Sequence, residues 1–171
     1  DVTVQQMQQE KVLVIGENIK IRRFARYAEG LSIPYVHMGG RIGVIVNLDV
    51  PAGFEEKEEV VELGRDLAMQ IAAMNPTYLD KSNVDPEVIE KEKEILLQQA
   101  KQDPKNASKP ENILEKMVTG RIGKYYEENC LQQQQYVKGD KETVEKHIAD
   151  VAKAAGGTIK ILGFTRFEKG E

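Results

Sequence analysis

Apolar residues take every second place in two short runs near the start of the chain. Ile19 and Ile21 alternate with Lys20 and Arg22; Ile42, Val44 and Val46 alternate with Arg41, Gly43 and Ile45. A period of two marks half-buried antiparallel strands. Glu29-Gly30 and Ser32 to Pro34 supply turn chemistry between the runs, so Ile15 to Val46 predicts a long β-hairpin. Arg22-Arg23 breaks the alternation, and a bulge there would turn Phe24 back toward the core.

Elsewhere the period is helical. Val4 to Ile15 predicts a short helix with Val4, Met7 and Val12 on one face. Glu55 to Asn75 is the clearest amphipathic segment, with Val60, Leu63, Gly64, Leu67, Ala68, Ile71 and Met74 inward, and Asn75-Pro76 stops it. Leu79 to Val84 reads as a linker. Asp85-Pro86 is a cap followed by a first-turn proline, opening a helix to about Gln102. Its apolar positions Val88, Ile89, Ile95, Leu96 and Leu97 are outnumbered by charge. After a loop at Asp103 to Lys109, Ser108-Lys109-Pro110-Glu111 has capping-box form and opens a helix to about Asn129. Ile113, Leu114, Met117, Val118, Ile122 and Tyr125 make its stripe.

These two helices predict an antiparallel hairpin, a projecting arm roughly 25 Å long that needs a partner to cover Ile95, Leu96 and Met117. Cys130 to Lys138 reads as extended. Asp140 caps a last helix, Lys141 to Ala155, with Val144, Ile148, Val151, Ala152 and Ala155 inward and Gly156-Gly157 at its end. Ile159, Ile161, Phe164 and Phe167 make a final strand. The expected class is α+β: a three-stranded antiparallel sheet covered by helices, with an inserted antiparallel helical hairpin. The corresponding units are 1–84, 85–129 and 130–171.

A length of 171 residues suits one domain with an appendage. The net charge of −4 argues against a general nucleic-acid binder. The single cysteine, Cys130, cannot form an internal disulfide, which suits a reducing compartment. No apolar run approaches the roughly 18 residues of a membrane span. The polar start does not read as a signal peptide, and without an initiator methionine the chain reads as a piece of a longer protein.

Gly39-Gly40-Arg41-Ile42-Gly43 invites comparison with a phosphate loop. The glycines lead into a strand rather than a helix N-terminus, and no Gly-Lys-Ser/Thr ending follows; close backbone approach is the expected reason for them. A Gly-x-x-Gly loop in an RNA-binding KH module would sit between helices. Neither His37 nor His147 has a cysteine or carboxylate at metal spacing. His147 reads as a border residue of the last helix, and His37 as the rim of the hairpin. Cys130 has no activating partner and reads as a buried, inert thiol. No nucleophile, base and orienter can be assembled, so the residues point to a non-enzymatic domain without metal or cofactor.

Several blocks resemble the elongation factor Ts family. They are Ile15-Gly16-Glu17-Asn18-Ile19 with Ile21-Arg22-Arg23, Tyr35-Val36-His37 leading into Gly40-Arg41-Ile42-Gly43-Val44, and Ala68 to Ala73. Val88 to Glu92 and Glu115-Lys116-Met117-Val118-x-Gly120-Arg121 resemble the family's helical arm; Lys141 to Val144 and Gly163 to Glu168 resemble its closing helix and strand.

The resemblance covers nearly the whole chain, in order. It implies a cytoplasmic translation factor of bacterial or organellar type. Such a guanine-nucleotide exchange factor binds elongation factor Tu and speeds GDP release without a chemical step. The implied contacts with elongation factor Tu are Ile15, Gly16, His37 and Val137. The implied dimerisation arm carries Ile95, Leu96, Met117 and Val118 and would form a homodimer. No membrane or direct nucleic-acid partner is expected, and a scaffold module without exchange activity is the alternative.

Three departures accompany the likeness. The family's N-terminal module and first core half, with a Thr-Asp-Phe motif that disturbs the magnesium and phosphate region of the GTPase, have no counterpart in this sequence. Gln135 stands where the family has proline. The family usually continues beyond the position of Glu171 into a C-terminal helix.

Overall fold

The computed structural model describes residues 1–106 and 108–171. Its centre is a three-stranded antiparallel sheet in the order β1-β2-β3, formed by β1 (Leu31–His37), β2 (Ile42–Asp49) and β3 (Lys160–Glu168). Among the described residues five α-helices accompany it: α1 (Val4–Ile15), α2 (Glu58–Met74), α3 (Pro86–Gln102), α4 (Glu111–Asn129) and α5 (Val144–Ala155). The α+β class, the antiparallel sheet and the inserted helical hairpin are as the sequence patterns predict.

The first strand is not where the alternation put it. Ile19 and Ile21 lie in irregular chain, and the segment read as a turn is β1 itself, pairing Ile33 with Val46 and Pro34 with Ile45. β1 is an edge strand, where a residue without an N–H fits because outward donors are unpaired anyway. The bulge expected at Arg22-Arg23 does not bury Phe24, whose side chain is 84% exposed. The ladder irregularity falls instead between Asn47 and Leu48, opposite β3.

One sheet face carries Ile33, Ile42, Val44, Val46 and Leu48, packed against Val60, Leu63, Leu67 and Ile71 of α2 and Val144 and Ile148 of α5. Each fully buried side chain of this size contributes roughly 1.5–3 kcal/mol. Met74, expected inward, is exposed at the end of α2. The last helix begins later than expected: Lys141 is left-handed at φ 63°, which a helix cannot run through, and Thr143 rather than Asp140 caps it. Gly156 ends it in the left-handed conformation, as its place predicts.

Helices α3 and α4 pack on each other and meet the body chiefly through the turn Leu131–Gln133. That turn is 3₁₀, not extended as expected. The chain leading into the hairpin is stitched to the chain leaving it. Tyr78 N–H donates to the Asn129 carbonyl at 3.0 Å, and Leu131 N–H to the Tyr78 carbonyl at 2.9 Å. A small second core of Val84, Ile89, Val118, Ile122 and Cys130 lies beside this seam. Asp85 caps α3 as predicted, its side chain accepting from Glu87 N–H. The capping box expected for α4 does not form: Pro110 is the N-cap and makes no side-chain bond, with Ser108 too far upstream to reach the first turn.

Candidate partner-binding surface

His37 is the last residue of β1. Strand alternation puts it on the same side as Ile33 and Tyr35, facing α2, and its Nδ1 shares a 2.9 Å hydrogen bond with the Tyr35 hydroxyl. Nε2 has no hydrogen-bond partner among the described residues. The chain then turns through Met38, Gly39 and Gly40, all left-handed at φ 49°, 63° and 96°. A Cβ at either glycine would meet nothing within 4 Å. These glycines therefore serve handedness, not the close backbone approach expected for them.

Val137 leaves the body on a short loop and is 49% exposed. Its backbone is held from α2. Gln70 Oε1 accepts Val137 N–H at 2.9 Å, while Gln70 Nε2 donates to the Gln135 carbonyl at 3.1 Å. One helical turn earlier, Asp66 accepts from the Tyr136 hydroxyl at 2.5 Å and from Lys138 Nζ at 2.7 Å. Burial pushes the Tyr136 phenol well above its ordinary range, and the bond to Asp66 acts in the same direction. The Asp66 hydrogen bond also holds the Lys138 ammonium above its usual value. On its other side the Tyr136 ring stacks on His147, centroids 4.0 Å apart, and His147 Nδ1 lies 3.4 Å from Glu142.

Ile15 and Gly16 stand apart. Ile15 is the last residue of α1 and 55% exposed; Gly16 ends the helix in the left-handed conformation. No residue of α1 is buried. Gln8 Nε2 donates to the Ile19 carbonyl at 2.6 Å, so the chain folds back along its own helix. The structure thus ties Val137 to α2, whereas His37 bonds to Tyr35 within β1, the strand whose Ile33 packs against that helix, and Ile15 and Gly16 have no described hydrogen bond to either.

On the arm, Ile95 is 51% exposed, Leu96 and Met117 are half-buried, and Val118 is buried in the hairpin's own seam. Cys130 is buried, and burial pushes its thiol up. Among the described residues no group of three or more His, Cys, Asp or Glu side chains could hold a metal ion. None of their helices is long and apolar enough to cross a membrane.

Two features escaped the sequence reading. Gln70 and Asp66 interrupt the apolar stripe of α2, and polar residues at inward positions were the available signal. The second sheet face, a trough lined by Pro34, Val36, Ile45, Thr165 and Phe167, was hidden because the first strand was placed elsewhere. The segment before β1 straps it. Tyr27 Oη and Thr165 Oγ1 share a 2.8 Å bond, and the Arg23 guanidinium lies 4.7 Å from the Phe167 ring centroid.

A family model described as Elongation factor TS matches residues 1–171. Elongation factor Ts of Clostridium kluyveri (strain ATCC 8527) is 48% identical over 159 residues, covering 92% of this chain and 50% of the relative. The Clostridioides difficile (strain 630) protein of that name is 46% identical over 171 residues, 99% of this chain and 54% of the relative. That of a Nitratiruptor species is 46% identical over 178 aligned positions, 100% of this chain and 55% of the relative. The chain spans about half the length of the curated relatives it matches.

Proposed function

The chain belongs to the elongation factor Ts family, and on that premise we propose that it works in translation elongation as part of a guanine-nucleotide exchange factor. It binds elongation factor Tu and promotes GDP release in the cytoplasm, with no chemical step of its own. The contacts are Ile15, Gly16, His37 and Val137. The observation that supports this reading is the hold of α2 on the chain at Val137, on the same helix against which β1, the strand ending in His37, packs through Ile33.

Exchange needs only differential affinity. A factor that binds the nucleotide-free GTPase better than its GDP form shifts the population by that difference. His37 and Ile15-Gly16 wedge against helices of the GTPase while Val137 grips another of its domains. The sequence contains no Thr-Asp-Phe motif, so this chain binds weakly and exchanges poorly.

GDP release from elongation factor Tu at saturating chain tests the proposal. A weak acceleration is expected, and His37→Ala or Val137→Ala should each weaken binding by about three- to tenfold. Absence of any complex overturns the reading; stimulation like that of an entire factor overturns the assignment of the main exchange device to the missing motif. The units 1–84, 85–129 and 130–171 divide the labour, with the arm at 85–129 serving homodimer formation. The exposed Ile95 favours that second role.

A further inference from the structure

Gln70 is fully buried, as is Gln134, to which Gln70 Nε2 donates at 3.1 Å. The same nitrogen reaches the Gln135 carbonyl, and Oε1 takes Val137 N–H. Gln134 passes the connection on, its Nε2 donating to the Glu128 carbonyl at 3.0 Å near the end of α4. One side chain therefore clamps the chain on both sides of Tyr136, whose ring points inward while Val137 points out.

Burying an uncharged amide completely is costly unless both its ends are bonded, and an apolar side chain of similar size would fill this space without that cost. The amide supplies what an apolar residue cannot, a donor and an acceptor on one rigid group. Together they set the backbone path of Gln135 to Val137. We infer that Gln70 is a positioning residue for the partner-binding surface: it preorganises Val137 in the frame of α2, the helix that also packs on β1 below His37. The inference rests on the proposed contact between Val137 and elongation factor Tu. A preorganised loop binds more tightly because less ordering remains to be done on association.

The test compares Gln70→Leu, Gln70→Glu, Val137→Ala and the Gln70→Leu/Val137→Ala double variant in this chain. Three quantities are read: thermal stability, hydrogen exchange of the Val137 amide, and calorimetric affinity for elongation factor Tu. Val137→Ala should weaken binding about fivefold, and Gln70→Leu about three- to tenfold with faster exchange at Val137. Gln70→Glu keeps the acceptor for Val137 N–H but sets a buried carboxyl oxygen against the Gln134 and Gln135 oxygens, so its loss should be at least that of Gln70→Leu; Gln70→Met, close to glutamine in shape, serves if the Leu variant does not fold. In the Val137→Ala background, Gln70→Leu should add little further loss of affinity while still lowering stability.

Full additivity of the two losses, or unchanged affinity in Gln70→Leu and Gln70→Glu when Val137→Ala does weaken binding, overturns the inference. A neutral Val137→Ala overturns the contact it rests on as well. That outcome is recognisable because exchange at Val137 still quickens in Gln70→Leu.

Discussion

Gly64 of α2 lies flush on Ile33 of β1: a Cβ at position 64 would stand 2.5 Å from Ile33 Cγ1 and 3.2 Å from its Cβ. These are inner atoms of a β-branched side chain and cannot swing aside, so the helix would have to lift from the sheet. Helix propensity favours alanine over glycine by about 1 kcal/mol, whereas overpacking costs about 1–3 kcal/mol. Overpacking wins. Gly64→Ala should lose about 1 kcal/mol in urea unfolding. Ile33→Ala should then cost less in the Gly64→Ala background than in the native one, by at least about 0.5 kcal/mol. Strict additivity would show that this contact is not the cause.

The bond from Tyr136 to Asp66 gives the fold an alkaline limit. Burial first, then Asp66, raises the phenol above its ordinary 10.0. Hydrogen bonding to Asp66 raises Lys138 above 10.5. A group whose folded pKa is raised holds its proton more tightly in the folded state. Its stabilisation is complete below the unfolded pKa and is lost as pH climbs through the folded one. Stability should therefore fall above about pH 10. Tyr136→Phe should cost about 1.5–3 kcal/mol at neutral pH and flatten that decline, because the phenylalanine has no proton to release. Chemical unfolding across the alkaline range checks it; a decline parallel to that of the native chain would refute the account.

Helices were legible in this sequence because their signals are local. Asp85 sits two residues from the N–H it caps, and Gly156 ends α5 where the apolar stripe stops. β1 was not legible. It contains Pro34, and its inward positions Ile33, Tyr35 and His37 are only partly apolar, whereas Ile19 and Ile21 alternate without any strand to pair with. Of the candidate surface, His37 and Val137 were found through the family resemblance. The clamp behind Val137 was missed: Gln70 meets Gln134 across 64 residues and Asp66 meets Lys138 across 72, separations at which spacing carries no message.

Gln135 should accept proline. Gln134 before it has φ −61° and ψ 147°, the extended region that a following proline requires. The neighbouring bonds are made by Tyr136 N–H to Glu142 and by Val144 N–H to Gln134, and no described bond uses the N–H of Gln135. Its carbonyl, which proline retains, accepts from Gln70. Gln135→Pro should leave stability unchanged or raise it by about 0.4–1 kcal/mol through a less flexible unfolded chain. Thermal unfolding decides; a fall of more than about 1 kcal/mol would mean that the loop needs that N–H or another φ.

Self-association through the arm makes its own prediction. Ile95 stands out from α3 beside Glu94, outside the seam formed by Ile89, Val118 and Ile122. A two-fold contact would bury it against the same patch of a second copy. Ile95 is 51% exposed, so covering it contributes about half of the roughly 1.5–3 kcal/mol of a whole isoleucine, while association costs at least about 4 kcal/mol in lost freedom. Two copies of Ile95 with partial help from Leu96 and Met117 can therefore support only a weak dimer. Sedimentation should show monomer at low micromolar concentration and dimer as concentration rises. Ile95→Glu would place a charge in the contact and beside Glu94 of the same helix, and should abolish the dimer. Because Ile95 is exposed, the monomer's stability should change by less than about 0.5 kcal/mol. A dimer that survives Ile95→Glu uses another surface, and a chain that stays monomeric throughout has no self-association for the arm to explain.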